Sequence, residues 1–190
     1  MTDKYSSFSE LSRNRFEGTD YKICHQQRDT EIVFVAPHGG KIEPGTSEIT
    51  KALAGEKFSY YSFEGTQLTN NCELHITSTN FDEPLCSELI KKSETVISIH
   101  GKAGNEGRVF LGGLNTSLKD RIRKALINTG FNASDETKTH LMARSINNIC
   151  NKGVTRKGVQ LELHKDLRIR LKNNPKQMSS FCNAILSTII

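Results

Sequence analysis

Two histidines, each at the end of an apolar run and followed by glycine, are the residues of this sequence best suited to chemistry. "VFVAPHGG" contains His38, "TVISIHG" contains His100, and Glu43 follows His38 by five positions. Two imidazoles and a carboxylate are a common ligand set of catalytic zinc, which keeps a further position open for water. One histidine at a strand end is more often a satisfied polar side chain. The paired pattern, with an acid in a glycine-rich loop, favours a metal site.

Zinc-dependent hydrolysis also needs a carboxylate that is not a ligand, to take a proton from water and return it to the leaving nitrogen. Glu162 in "GVQLELH" is the candidate, because it alternates with leucines on a predicted strand. The same alternation describes a solvent-facing acid on an amphipathic strand, so both interpretations stay open. Glu48, on a predicted helix, and Glu106, in the "GKAGNEG" loop, are weaker alternatives.

Three basic residues near these positions are candidates for binding an anionic substrate. Arg168, six residues after Glu162, could pair bidentately with a carboxylate, and Lys102 and Arg108 flank the loop after His100. Lys102 and Arg108 are also candidates for stabilising the oxyanion that forms during amide hydrolysis. Taken singly, each is more typical of a solvated surface charge than of a binding residue. The remaining histidines have no ligand spacing and are predicted to be structural or exposed: His25, His75, His140 and His164.

Predicted strands that alternate with predicted helices must position these residues. Apolar or alternating runs predict strands at 31–37, 57–63, 72–78, 95–101, 108–113 and 158–164. Helical spacing predicts helices at 8–13, 46–55, 83–93, 115–130, near 141–150 and from Pro175 onward. Thr46 or Ser47 is the expected cap of the second helix, and Asn115 or Thr116 that of the fourth.

This alternation implies βαβ units in a mostly parallel or mixed central sheet flanked by helices, which is the α/β class. Sites in such sheets form beyond the carboxyl ends of the strands, where His38 and His100 are predicted to lie. The 190 residues and 21.3 kDa correspond to one domain. We therefore expect residues 1–190 to form a single catalytic domain, with residues 1–30 as a polar N-terminal segment.

The composition restricts the partners and the location. A formal charge of +5 and a pI near 9.0 suggest an anionic partner, which could be nucleic acid, a membrane surface or an acidic polymer. Five scattered cysteines without a CxxC pair argue against a disulfide framework or a thiolate zinc cluster. No signal peptide and no apolar run of ~20 residues is recognised, so we expect a soluble protein synthesised in the cytoplasm.

Three segments, "APHGGKIEPGTSEI", "SIHG" and "GVQLELHKDLR", resemble in order and spacing the poly-γ-glutamate hydrolase family of Bacillus phages and prophages. The resemblance runs from about residue 32 to the C-terminal helix. It implies a reduced zinc carboxypeptidase type of fold with one zinc ion per chain, held by His38, Glu43 and His100. It also implies that Glu162 is the catalytic glutamate and that Arg168 anchors a substrate carboxylate.

The same resemblance implies an activity. Members of the family cleave γ-glutamyl amide bonds within poly-γ-glutamate, the anionic capsule or slime polymer of Bacillus, so this protein is expected to act outside the cell after host lysis. The basic charge of the chain is consistent with such a polyanion. Two positions differ from the family pattern, with His164 in place of a small residue such as serine and Lys152 in place of arginine.

Two alternatives remain open. A zinc amidase or carboxypeptidase acting on small acylated amino acids or peptidoglycan peptides would release terminal products. A basic nucleic-acid-binding protein would keep its complex after chelation, but the sequence has no aromatic-rich binding strand, helix-turn-helix signature or zinc-finger spacing. We therefore expect neither nucleic acid nor membrane as a partner, and we expect a monomer. Stereochemical preference and product length are left open.

Overall fold

The computed structural model describes residues 3–189, which form seven strands and six α-helices. The strands are β1 Tyr21–Gln26, β2 Ile32–Gly40, β3 Ser59–Gly65, β4 Thr95–Lys102, β5 Arg108–Gly112, β6 Asn132–Asp135 and β7 Val159–His164. The helices are α1 Phe8–Leu11, α2 Thr46–Ala54, α3 Pro84–Lys91, α4 Thr116–Asn128, α5 Lys165–Asn173 and α6 Pro175–Leu186.

The strands form one mixed sheet in the order β1-β3-β2-β4-β7-β5-β6. β3, β2, β4 and β7 are parallel to one another, whereas β1 pairs antiparallel with β3 and β5 pairs antiparallel with β7. Parallel neighbours need crossover connections, and α2 and α3 lie in the two crossovers that join β2 to β3 and β3 to β4. The predicted single-domain α/β fold with a mixed sheet flanked by helices is confirmed.

The core lies on both faces of this sheet, and β2 shows why. Phe34 packs on one face with Leu53 and Phe181, while Val33 and Val35 pack on the other. All three β2 side chains are fully buried, so the strand reads as a continuous apolar run rather than an alternating one. This packing fixes the carboxyl ends of β2 and β4 side by side at one rim of the sheet.

The connection between β2 and α2 uses the side chains that were expected to cap the helix. α2 begins after Gly45, which has a φ of 100° and provides no side-chain cap, so the prediction of Thr46 or Ser47 as cap is wrong. Thr46 Oγ1 instead donates to the Glu43 carbonyl at 2.9 Å, and Ser47 Oγ accepts from the Gly40 N–H at 2.8 Å. Both hydroxyl groups therefore stabilise the loop before the helix.

Two predicted elements are wrong. The segment at 72–78 is not a strand: it forms a 3₁₀ turn, Asn71–Leu74, followed by irregular backbone. Leu74 and Ile76 are fully buried against the sheet, so the alternation of apolar residues reflects packing of a loop without strand pairing. The helix predicted near 141–150 is replaced by two short 3₁₀ turns, Thr139–Leu141 and Ile149–Asn151.

Three elements were not predicted, namely β1, β6 and α5. β1 lies inside the polar N-terminal segment and forms one edge of the sheet, while β6 forms the opposite edge with only four residues. α5 begins directly after β7 and has no side-chain cap. Asn115 caps α4 through its side chain, and α6 begins at Pro175, both as predicted.

The five cysteines are free thiols, and Cys86, Cys150 and Cys182 are buried. Burial raises the pKa of the Cys150 and Cys182 thiols to about 12, so both remain protonated near neutral pH. They act as small apolar core residues. Of the helices that the structure describes, none combines the length and the apolar character that a membrane crossing requires.

Candidate active site

The two histidines meet at the carboxyl ends of β2 and β4. His38 Nδ1 and His100 Nδ1 are 3.2 Å apart, and the two ring centroids are 5.0 Å apart. Both side chains are buried. The parallel pairing of β2 with β4 therefore brings together two imidazoles that are 62 residues apart in the chain.

The orientation of each imidazole is set by its other nitrogen. His38 Nε2 lies 2.8 Å from the Ile76 carbonyl, and since a carbonyl only accepts, Nε2 is the donor. His100 Nε2 lies 3.4 Å from Ser78 Oγ. A backbone carbonyl on the distal nitrogen is a common way to orient a metal-binding histidine. The irregular segment that carries Ile76 and Ser78 thus directs both Nδ1 atoms toward each other.

Glu43 reaches the same point from the loop that follows β2. Gly40 has a φ of 62°, which lets the chain turn back, and the Glu43 N–H donates to the His38 carbonyl at 3.0 Å. Glu43 Oε2 lies 3.5 Å from His38 Nδ1 and accepts from the Gly101 N–H at 2.7 Å. The loop therefore places a carboxylate beside the two imidazoles.

We call these three side chains the ligand cluster, and the two separations measured from His38 match those between the ligands of a tetrahedral metal ion. Neighbouring donors at zinc bond lengths of 2.0–2.1 Å are about 3.3 Å apart. His38 Nδ1 lies 3.2 Å from His100 Nδ1 and 3.5 Å from Glu43 Oε2, close to that spacing. Two imidazole nitrogens and one carboxylate oxygen are also a donor set that suits zinc. His38, Glu43 and His100 could therefore hold such an ion and leave a position for water.

The electrostatics of the ligand cluster favour a cation. Burial opposes charge on His38, but the facing Glu43 carboxylate outweighs it and raises the pKa of His38. Burial, together with His38, lowers the pKa of His100 to about 3. Burial alone would raise the pKa of Glu43, but the two histidines and the Gly101 N–H lower it to about 2. The negative charge of Glu43 thus favours a positive charge beside it, which a bound metal cation would supply in place of a proton.

Glu162 faces the ligand cluster from β7. The strand register places Glu162 opposite His100 on one side and opposite Phe110 on the other. Its side chain is only 4% exposed and lines the same cavity as the ligand cluster, so the solvent-facing interpretation is wrong. Gln160 Nε2 donates to Glu162 Oε1 at 2.8 Å, and Asn148 Nδ2 holds the Gln160 oxygen at 3.1 Å.

The surroundings of Glu162 favour its protonated form. Burial, followed by the charge of Glu43, raises the pKa of Glu162 to about 8, and Lys102 opposes this shift. A carboxyl group with a pKa near neutrality can take up a proton and return it within one catalytic cycle. Glu48 and Glu106, the alternative bases, line neither cavity at the ligand cluster.

Two cavities meet beside the ligand cluster. The first cavity, of about 360 Å³, is lined by the ligand cluster and Glu162. The second cavity, of about 450 Å³, is lined by the two basic residues Lys165 and Arg168. Glu43 and His75 line both cavities. A ligand that is longer than one cavity could therefore extend past the ligand cluster in two directions.

Arg168 is buried between the loop after β2 and the end of β7. Its Nη1 donates to the Pro44 carbonyl at 2.6 Å, and its Nε donates to the Leu163 carbonyl at 3.2 Å. A Cβ atom at Gly101 would lie 2.5 Å from Arg168 Cζ, which explains the glycine after the second histidine. Arg168 also lines the second cavity, so its guanidinium both fastens the loop and borders the space available to a substrate.

The other two basic candidates lie outside both cavities. The Lys102 ammonium forms an ion pair with the buried Glu136 carboxylate. Arg108 Nε lies 2.9 Å from Oε2 of the exposed Glu106 side chain. The structure therefore does not bring Lys102 or Arg108 to the ligand cluster, and Lys102 affects the site through its charge near Glu162.

His75 is a site residue that the sequence reasoning missed. Its ring stacks on His38 with centroids 3.9 Å apart, and it lines both cavities. Ligand atoms of His38, Glu43 and His75 all lie within 4.8 Å of one another, so His75 competes with His100 as a third ligand. His75 Nδ1 lies 2.7 Å from Asp3 Oδ1, which leaves Nε2 able to bind a metal, so the geometry admits both histidines. The family resemblance of the segment "SIHG" favours His100. No spacing pattern connected His75 to the other histidines.

The fold is of the zinc carboxypeptidase-like α/β type, a fold found among hydrolases. The chain belongs to the poly-γ-glutamate hydrolase family, whose sequence model it matches over residues 5–183. The family resemblance carried by the three sequence segments is thus confirmed.

Individual relatives agree with this assignment. The chain is 38% identical over 174 residues to the SPbeta prophage-derived protein YoqZ of Bacillus subtilis, covering 90% of this chain but only 62% of YoqZ. A bacteriophage poly-γ-glutamate hydrolase superposes with a TM-score of 0.92 at 30% identity, covering 98% of this chain and 96% of that chain. The zinc-free structure of YndL superposes with a TM-score of 0.93 at 30% identity, covering 99% of this chain and 98% of that chain.

Proposed function

We propose that this protein is a zinc-dependent hydrolase that cleaves γ-glutamyl amide bonds inside poly-γ-glutamate. The proposal depends on one observation above all: in a member of this family, the ligand cluster and the buried Glu162 line one cavity, with His38 Nδ1 3.2 Å from His100 Nδ1 and 3.5 Å from Glu43 Oε2. A relative described in a zinc-free form supports zinc as the metal. Residues 1–190 would act as a single catalytic domain with one zinc ion.

In the proposed reaction, the ligand cluster holds the metal ion and Glu162 transfers the proton. A zinc ion held by His38, Glu43 and His100 would supply Lewis-acid activation of a water molecule and of the scissile carbonyl. Glu162 Oε1 accepts a hydrogen bond from Gln160, so Oε2 is the atom that takes the proton from water. Glu162 then donates this proton to the leaving α-amino nitrogen. Because Glu162 is buried, its carboxyl group has little contact with bulk water.

The charge around the site suits a polyanion. Poly-γ-glutamate carries one free carboxylate per residue, and the second cavity offers the Arg168 guanidinium and the Lys165 ammonium. The formal charge of +5 adds a long-range attraction, which salt should weaken. Because the two cavities meet beside the ligand cluster, a polymer could occupy both sides of the scissile bond, which supports internal cleavage.

The alternative functions predict different cleavage products and a different response to salt and to chelation. A zinc amidase or carboxypeptidase acting on small acylated amino acids or peptidoglycan peptides would release single terminal residues from the polymer, or would leave it intact. A nucleic-acid-binding protein would give a salt-dependent complex that survives chelation. The nucleic-acid alternative does not account for a buried glutamate with a raised pKa opposite the ligand cluster, whereas the zinc amidase shares this feature and is distinguished by its products.

The experiment that tests the proposal measures the size distribution of purified poly-γ-glutamate after incubation with protein. Wild type, chelated wild type and the Glu162→Gln variant are compared, with zinc content determined for each, and Glu106→Gln serves as the control at an exposed glutamate. We expect short oligomers from wild type and Glu106→Gln only. Intact polymer in the presence of bound zinc would refute the substrate, and absence of zinc from active protein would refute the metal.

A further inference from the structure

A carboxylate–imidazole pair, Asp3 and His75, borders the site and is not used by the mechanism above. One Asp3 oxygen lies 2.7 Å from His75 Nδ1, and the other accepts from the Thr77 N–H at 2.6 Å. An ionised carboxylate only accepts hydrogen bonds, so His75 Nδ1 carries a proton. The two contacts together fix both the position of Asp3 and the tautomer of His75.

The second nitrogen of His75 remains available. When the neutral imidazole carries its proton on Nδ1, Nε2 has a lone pair and can only accept. His38 covers one face of the ring, and no hydrogen bond joins Nε2 to any other residue within 3–189. The side chain is 33% exposed and lines both cavities. Nε2 is thus the polar atom that the ring presents where the cavities meet.

We propose that His75 Nε2 accepts a hydrogen bond from an amide N–H of the bound polymer, and that Asp3 is the positioning residue that keeps Nε2 unprotonated. This inference rests on the proposed function. Each repeat of poly-γ-glutamate has one secondary amide, which donates, and one ionised carboxylate, which only accepts. A bare nitrogen therefore selects the amide and rejects the carboxylate. The contact sets the register of the polymer next to the ligand cluster.

Substitution of Asp3 by asparagine reverses this arrangement. The Thr77 N–H still requires an acceptor, so the asparagine oxygen faces Thr77 and the NH₂ group faces His75 Nδ1. Nδ1 must then accept, and the proton moves to Nε2. An Nε2–H would oppose an amide N–H, and this kind of tautomer reversal is strongly damaging in other carboxylate–histidine pairs.

The first test is kinetic. Asp3→Asn and His75→Ala are compared with Asp29→Asn and His25→Gln, which change an exposed aspartate and an exposed histidine of the same chain. We expect both test variants to lose roughly 10-fold in kcat/KM on poly-γ-glutamate, as for one hydrogen bond, mainly through KM. Zinc content should stay at the wild-type level, and the controls should match wild type. Wild-type kcat/KM in His75→Ala would overturn the inference.

The second test is spectroscopic and independent of activity. The ¹⁵N shifts of the His75 ring should show a protonated Nδ1 in wild type and a protonated Nε2 in Asp3→Asn. A reversed tautomer with an unchanged KM would overturn the substrate contact. Loss of zinc from His75→Ala would overturn it in favour of His75 as a metal ligand. Polymer left intact by zinc-loaded wild type would refute the proposed function itself, whereas active wild type with unaffected variants refutes only this inference.

Discussion

The loop after β2 and the middle of β7 each present one glutamate to the site, and the two glutamates behave in opposite ways. Glu43 accepts from the Gly101 N–H and faces His38, and its pKa is lowered to about 2. Glu162 is buried and accepts a hydrogen bond from the Gln160 amide, and burial raises its pKa to about 8. Both carboxylates are largely withdrawn from water, so their partners account for the difference.

This difference matches two chemical roles. A carboxylate that remains ionised at every pH of interest is suited to binding a metal cation. A carboxyl group that holds its proton near neutrality is suited to proton transfer. Under the proposed function, the same amino acid would serve as a ligand beside the Gly101 N–H and as an acid–base group on a buried strand. The predictions that follow are ordered by the size of the expected effect.

The largest effect is expected for Glu162→Gln. The amide cannot exchange a proton with water, so kcat on poly-γ-glutamate should fall by ~100- to 10,000-fold. Zinc content should not change, because Glu162 is not part of the ligand cluster. Kinetics and metal analysis on the same preparation check both statements. A variant that lost its zinc would show that the two glutamates share one role.

Glu43→Gln should give the complementary result. A neutral amide removes the only anionic ligand, so zinc affinity should fall by more than ~100-fold, beyond the range typical of outer-shell partners. Competition with a chelator of known affinity measures this loss. Activity should return in part at high zinc concentration, in contrast to Glu162→Gln. Unchanged zinc affinity would remove Glu43 from the ligand cluster.

Arg168→Lys tests the residue that joins the two regions. Arginine bonds the Pro44 carbonyl on the loop side and the Leu163 carbonyl on the β7 side, which a lysine ammonium cannot reproduce in the same geometry. We expect zinc affinity to fall roughly 10-fold and KM for the polymer to rise. Arg170→Lys, at an exposed arginine of the same helix, is the matched control. A change in KM with unchanged zinc affinity would leave Arg168 as a substrate anchor only.

The smallest effect concerns stability against pH in the metal-free protein. The raised pKa of Glu162 contributes stability that is complete below about pH 4.5 and is lost as the pH rises toward 8. The lowered pKa of Glu43 contributes stability above pH 4.5 that is lost as the pH falls toward 2. Glu162→Gln should therefore raise the Tm by a few degrees at pH 8 and leave it nearly unchanged at pH 4.5. A Tm gain that does not vary with pH would contradict the raised pKa.

The sequence was sufficient for the parts of the site that lie on well-patterned strands. His38, His100 and Glu162 are on or at the ends of β2, β4 and β7, whose apolar runs predict buried parallel strands. Glu43 follows from the two glycines that let the chain turn after His38. These are local signals, so one chain is enough to recognise them.

The missed parts depend on contacts between distant segments. His75 lies on a loop whose buried Leu74 and Ile76 gave the pattern of a strand, and its partner Asp3 is 72 residues away. Arg168 was predicted as a substrate anchor, but its hydrogen bond to the Pro44 carbonyl, 124 residues away in the chain, was not. The edge strands β1 and β6 are short and half exposed, so they lack a clear alternation. α5 begins without a side-chain cap, which removes the usual start signal.

The close fit of Arg168 against two glycines restricts how this protein could be evolved in the laboratory. A Cβ atom at Gly101 would meet Arg168 Cζ at 2.5 Å, and one at Gly45 would meet Arg168 Cβ at 2.8 Å. A library that randomises either position would consist mostly of damaged clones. Ile42 and Lys165 line the second cavity away from this fit, so diversity placed there could alter substrate range while the catalytic framework is retained.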